Sequence, residues 1–183
     1  MKSKKILVFL TLAAVLLLIF TFGFVYGYRA NQPEITPQEK TFKFLTENGF
    51  SDAQACGIMA CIEISSNFNS AAEDLNHTGY GLMFWCNQRR EILEQYALML
   101  NKPLDDLEMQ LEFLLDELNP ESENYQLVAY NGYSPENFWN STTPEEAALS
   151  FCCIYEKPHV DSFEFYKSHR IMLANNYYLA FSN

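Results

Sequence analysis

From Ile6 to Tyr26 the chain carries 21 residues without a charge, and beyond them apolar positions recur at helical spacing between clusters of turn-forming residues. At about 1.5 Å per residue the first run is long enough to cross a hydrocarbon core of about 30 Å. Lys2, Lys4 and Lys5 precede it and Arg29 follows, a bias that keeps the N-terminus inside and sends everything from about Tyr28 onward outside the cytoplasm. A cleavable signal peptide would have a shorter apolar region, about 7–15 residues, ending at small residues; only Val25-Tyr26-Gly27 comes close to such an end. The expected organisation is a cytoplasmic N-terminus over residues 1–5, a transmembrane signal-anchor over 6–27, a short linker over 28–37 and one extracytoplasmic domain over 38–183. The linker carries two prolines and no apolar period.

Within the domain the pattern is mainly helical. Thr36-Pro37 is a helix start, and Phe42, Phe44 and Leu45 carry the first amphipathic helix towards Gly49. Ser51 and Gln54 read as a capping box opening a run from Ala53 to Ile64 that is apolar nearly all round, so this helix should be central and buried. Asn67 to Phe84 has no helical period and contains Gly79 and Gly81 around Tyr80, which predicts a long loop with room for a small hairpin. A loop longer than about 12–15 residues in a compact domain is commonly functional. Helical patterns return over Asn87–Leu100 and Leu104–Leu118, a shorter one over Asn124–Asn131, another from Thr143-Pro144 to Tyr155, and a last one from Val160 to about Ala180. The last has its stripe in Phe163, Tyr166, Ile171, Leu173 and Tyr177.

Charge narrows the partners. Beyond Ala30 there are 8 Lys and Arg against all 23 Asp and Glu, a net charge of −15 with histidines neutral. A nucleic-acid backbone is bound by neutralising it with Lys and Arg, so no nucleic-acid partner is expected.

Five cysteines, Cys56, Cys61, Cys86, Cys152 and Cys153, are an odd number for a disulfide framework. On a helix Cys56 and Cys61 point about 140° apart, and Cys152 and Cys153 are adjacent, so neither close pair is placed to bridge. No Cys-x-x-Cys pair is present, nor a histidine at ligand distance from a cysteine, and no metal site is expected. Small buried hydrophobes are the expected role.

Several segments in order carry a resemblance: Gly57-Ile58-Met59, then Ser66-Asn67-Phe68-Asn69, then Gly79-Tyr80-Gly81-Leu82, followed by Trp85 and Arg89-Arg90. Downstream come Gln110 to Leu114 with Glu117-Leu118, Thr143 to Ala148, Tyr155-Glu156-Lys157-Pro158, and a helix with Arg170 and Ala174. Over roughly Phe42 to Tyr178 this frame resembles the phage tail lysozyme family. The resemblance implies a mainly α, lysozyme-like domain with a long cleft loop or small hairpin, here preceded by one N-terminal transmembrane helix. It also implies peptidoglycan glycan strands as the ligand, with no cofactor. Cleavage in such a fold needs a carboxylic acid, in this family a glutamate that ends the central helix. Aligned without a gap from Gly57 to Phe68, that position holds Ser65. Glu63, two positions earlier, is rotated by about 200° away from it. Phe84 stands where the family usually has glutamine, and Asn67 where it has glycine.

The resemblance therefore points to a membrane-anchored, single-pass protein whose extracytoplasmic domain binds glycan strands or braces a wall-crossing protein assembly without hydrolysing. The alternative is an active muramidase whose acid has moved to Glu73 or Asp74 in the loop. Phe68, Tyr80, Phe84, Trp85 and Arg89 are the candidate glycan contacts. Trp85 serves equally as a core wedge, and Arg89 as a structural salt bridge.

Overall fold

The structure, a computed structural model, describes residues 35–75 and 77–182. The expected cytoplasmic N-terminus, the transmembrane helix and nearly all of the linker lie outside the described residues. Among those residues no helix is long and apolar enough to cross a membrane.

Two reciprocal caps start the fold. Helix α1 (Pro37–Glu47) opens with the Thr36 side chain accepting from Glu39 N and the Glu39 carboxylate accepting from Thr36 N. Helix α2 (Asp52–Ser66) opens in the same way with Ser51 and Gln54. Each pair satisfies two amide donors that a helix start otherwise leaves open.

Every residue of α2 from Ala53 to Ile62 is buried, as its all-round apolar pattern predicts. Small residues on one side set how closely its neighbours approach. A Cβ added to Gly57 would lie 2.6 Å from both Ala147 Cβ and Ala148 N, so the backbone of helix α6 (Pro144–Phe151) rests directly on α2 at this point. The larger Ile58, Met59 and Ile62, none with any exposure, fill the core around it. Each such side chain contributes about 1.5–3 kcal/mol by leaving water.

Around α2 the chain adds a two-stranded hairpin, β1 (Gly79–Tyr80) and β2 (Trp85–Cys86), then helices α3 (Gln88–Leu100), α4 (Leu107–Leu118) and α5 (Pro135–Trp139). After α6 comes a π-helical turn, Cys152–Glu156, and then the long helix α7 (Val160–Phe181). Helices α2, α6 and α7 pack on one another. The hairpin expected in the loop is present, with Tyr80 opposite Trp85.

Two expectations need correction. Residues Asn124–Asn131 are not helical: Gln126 N bonds to Glu117 O at 2.8 Å and Val128 N to Ile154 O at 3.2 Å. Those amides find partners on α4 and the π-turn, and the buried Leu127 anchors the segment between them. The helix expected from Leu104 begins instead at Leu107, where the Asp106 carboxylate accepts from Met109 N at 2.7 Å and caps it. In α7 the expected stripe is only partly inward, since Phe163 and Leu173 are buried and Tyr166 is exposed.

Candidate functional site

Hydrogen bonds and ion pairs gather the candidate residues into three groups. The first surrounds Ser65. It lies in the last turn of α2, half-buried, just before Asn67 closes the helix in the left-handed region at φ 52°. Its neighbour Ser66 donates to Ile62 O at 3.2 Å. Glu63 bonds instead to the hydroxyl of Tyr177 on α7, so it faces away from Ser65 as its helical phase requires.

The carboxyl beside Ser65 comes from elsewhere in the chain. Glu156, at the end of the π-turn, has the side chains of Ser65 and Cys61 against it. Its Oε2 accepts from Arg170 Nη2 at 3.0 Å and from the thiol of Cys152 at 3.2 Å. Burial pushes its pKa above the ordinary carboxylate range, and Arg170, then the thiols and Ser65, pull the other way. Among the described residues, Glu156 Oε1 and the Nε and Nη1 of Arg170 have no well-aligned hydrogen-bond partner. Glu156 is the last residue of the π-turn, and such turns are frequent at functional sites.

The second group is the hairpin with its preceding loop. Glu73 pairs with Arg90 Nη2 at 2.8 Å and with His77 Nδ1 at 2.8 Å. Arg90 also donates to His77 O at 2.6 Å and lies over the ring of Tyr80, 5.3 Å from its centroid. The bond from His77, followed by that from Arg90, holds the Glu73 pKa below its ordinary value. Asp74 takes Thr78 N at 2.6 Å, the Thr78 hydroxyl and Gly79 N at 3.2 Å, and its pKa is lowered chiefly by the hydroxyl. Both are committed anions closing a loop, whereas a general acid must hold its proton near working pH.

The third group is internal. Trp85 has no exposed surface; its Nε1 donates to Glu117 Oε2 at 2.7 Å, and its ring meets Phe113 edge-on at 5.4 Å. Arg89 grips the same carboxylate with Nε at 2.7 Å and Nη2 at 2.8 Å, and stacks over Tyr155 at 4.5 Å. Tyr155 donates its hydroxyl to Glu117 as well. A fully covered indole offers no face to a sugar, which corrects the reading of Trp85 as a glycan contact in favour of the core wedge. Phe68 is corrected likewise: it is 4% exposed and packs edge-on against Tyr177 at 5.8 Å. Arg89 is the structural salt bridge. Tyr80 and Phe84 remain partly exposed on the hairpin, Phe84 with a positive φ of 49°.

Glu117, Glu156 and Arg170 were not singled out for chemistry by sequence reasoning. Glu156 had a signal, an acid closing the apolar run from Phe151 to Tyr155. Elsewhere, a cavity of about 340 Å³ lies between α5 and α6, lined by Tyr133, Glu136, Asn137, Glu146 and others, and contains none of the sequence candidates. Among the described residues no group of three His, Cys, Asp or Glu could hold a metal ion.

A family model described as phage tail lysozyme matches residues 36–181. No curated protein matches the chain.

Proposed function

Because this chain belongs to the phage tail lysozyme family, we propose that it acts on peptidoglycan as a glycan-binding module that has lost hydrolysis, held at the cell membrane through residues 6–27 with the domain outside. The observation that carries this reading is Ser65. The ungapped register from Gly57 to Phe68 supports a serine where the family has its glutamate, and a hydroxyl cannot protonate a leaving sugar oxygen near neutral pH. Removing a general acid typically slows such a reaction by about 10²–10⁴. Glu73 and Asp74 support the same conclusion, since their hydrogen bonds favour the ionised form. Exposed parts of Tyr80 and Phe84 supply apolar surface for a sugar face. A module of this kind could serve as a bracing part of an assembly that crosses the wall.

One observation favours a second reading. Glu156 is a carboxyl beside Ser65 whose burial raises its pKa, which is the environment that keeps a glycosidase acid protonated. In that reading the acid has moved from α2 to the π-turn, and the protein is an active muramidase.

The two separate on purified peptidoglycan. The full chain should sediment with the polymer and release no soluble fragments, while Ser65→Glu gains release. Release by the unmodified chain that Glu156→Gln abolishes establishes the second reading instead. A chain that neither sediments with peptidoglycan nor releases fragments ends both.

A further inference from the structure

The cavity of about 340 Å³ between α5 and α6 shares no residue with the groups around Ser65, Glu73 and Trp85. Both of its walls are pinned to α2. Gln54 donates from Nε2 to Trp139 O at 3.0 Å and to Phe138 O at 3.3 Å, which holds α5, while the close contact at Gly57 holds α6. Phe138, on α5, is fully buried. A space framed in this way exists before a ligand arrives, and its volume falls within the range of small-molecule sites, about 300–1,000 Å³.

Its lining is one-sided in charge. Glu136 and Glu146 contribute carboxylates, and none of the eight lining residues is basic. Neutral donors favour the ionised form of each: the Ser134 side chain and then a backbone N–H for Glu136, and first the backbone of Thr142 for Glu146. Glu146 Oε2 accepts from Thr142 N at 3.2 Å and from the Thr142 hydroxyl at 3.4 Å, so among the described residues Oε1 is left over. The Ser150 hydroxyl commits its hydrogen to Glu146 O at 2.6 Å and retains lone pairs. Leu149 and the half-buried Tyr133 add apolar surface to the same lining.

Carboxylates without a neighbouring cation repel an anion, and an excess of acceptors calls for a ligand rich in donors. A divalent metal does not suit the site, since among the described residues no group of three His, Cys, Asp or Glu could hold one. A primary ammonium does: it brings three donors and no acceptor, on an alkyl stem that apolar side chains can cover. The net charge of −15 beyond Ala30 draws such a cation towards the domain.

We infer that this cavity binds the alkylammonium group of a diamino-acid side chain in a short peptide, with Glu136 and Glu146 as its counter-ions. The source of the peptide rests on the peptidoglycan reading: it is the stem peptide of the wall, whose diamino acid ends in a free amine wherever the stem is not cross-linked. Cross-linking turns that amine into a neutral amide and removes the charge. The module therefore prefers wall that is not cross-linked, and it contacts glycan and peptide at separate places.

The test titrates the detergent-solubilised full chain by isothermal calorimetry with a synthetic lysine-containing stem peptide, its α-amine acetylated and its side-chain amine free. Binding is expected to weaken about fivefold in each of Glu136→Gln and Glu146→Gln, the upper range for one solvated ion pair, and about 25-fold when acetylating the side-chain amine removes both. Each glutamine keeps an oxygen for its neighbours, and an unchanged melting midpoint shows that the variants fold. Carbodiimide coupling of the peptide to the chain, mapped by mass, should place the new amide at Glu136 or Glu146 ahead of other exposed carboxylates. A free-amine peptide that does not bind, or binds no better than its acetylated form, overturns the inference, as does coupling with no preference for these two residues. Sedimentation with whole peptidoglycan separates this inference from the reading it rests on. A chain that sediments but ignores the peptide keeps the glycan-binding reading and loses the ammonium site. A chain that binds the peptide through Glu136 and Glu146 but does not sediment keeps the ammonium site and overturns the wall as its source.

Discussion

Trp85 and Glu117 meet through a 2.7 Å hydrogen bond from the indole Nε1 to Oε2, in the core rather than at a surface. Glu117 is 1% exposed, and its two oxygens receive Trp85, Tyr155 and both Arg89 contacts. A carboxylate so buried is tolerable because every donor around it is satisfied. Hairpin, α3, α4 and π-turn thus share one anchor.

Replacing Glu117 by Gln removes the charge while keeping the shape, leaving the Arg89 guanidinium without its counter-ion. The expected loss is about 3 kcal/mol, the low end for breaking a buried pair. Trp85→Phe deletes one neutral donor and should cost about 1–2 kcal/mol. Urea denaturation of the full chain measures both, and a Glu117→Gln cost below that of Trp85→Phe would contradict the shared-anchor account.

Two glycines should resist substitution for different reasons. At Gly57 the added Cβ of alanine meets the Ala147 Cβ and the Ala148 backbone at 2.6 Å, so α6 must move away, at a cost of about 1–3 kcal/mol. At Gly81 φ is +77° and the Cβ would strike the Gln110 amide at 2.6 Å. That amide holds Leu82 N at 2.9 Å and reaches Ser70 O and Leu104 O, each at 2.7 Å. Gly81→Ala should therefore add loss of the loop anchor to backbone strain, about 2–4 kcal/mol in all. Thermal unfolding compares them, and a Gly81→Ala chain as stable as the parent would contradict this reading of the loop.

Much of this was legible in the sequence because local rules and the tertiary fold agree. The caps at Thr36, Ser51 and Thr143, the all-apolar run of α2 and the glycines around Tyr80 each specify a local structure that packing then keeps. The segment 124–131 was misread because its amides bond to α4 and the π-turn, partners invisible to a local pattern. Trp85 could be weighed as core or surface but not assigned, since its burial depends on Glu117, 32 positions away. The meeting of Ser65 with Glu156 was illegible for the same reason. It requires the π-turn, and no periodicity marked where α6 would gain a residue.

The loop before the hairpin should open in acid. The pKa of Glu73 is lowered by His77 and Arg90, so its contribution is present above the unfolded carboxylate value and is lost as pH falls through the lowered one. Asp74, held by Thr78, has the same sign. Limited proteolysis within residues 71–78 should accelerate as pH falls through that window, before the helices melt. Arg90→Ala, which removes the contacts to both Glu73 and His77 O, should make cleavage faster at neutral pH. Equal cleavage of parent and variant at neutral pH would show that these pairs do not hold the loop.

Glu156 should give the opposite sign. Its pKa is raised by burial, so over the interval from the ordinary carboxylate range up to the raised value the folded chain binds more protons than the unfolded one. Stability from this group is then complete below the unfolded pKa and falls as pH rises through the folded value. The groups facing it moderate the effect without reversing it: Arg170 from α7, Cys152 from its own turn, and Cys61 and Ser65 from α2. Glu156→Gln removes the titration while keeping an oxygen for Arg170, so the stability difference, variant minus parent, should shift in the variant's favour as pH rises. Urea midpoints for both chains across about pH 4–8, a span that brackets perturbed carboxylates, provide the measurement. A difference that is flat, or that moves in the parent's favour, would mean that Arg170 outweighs burial. Glu156 would then be an ordinary ion-pair carboxylate, and the second reading of the site would lose its acid.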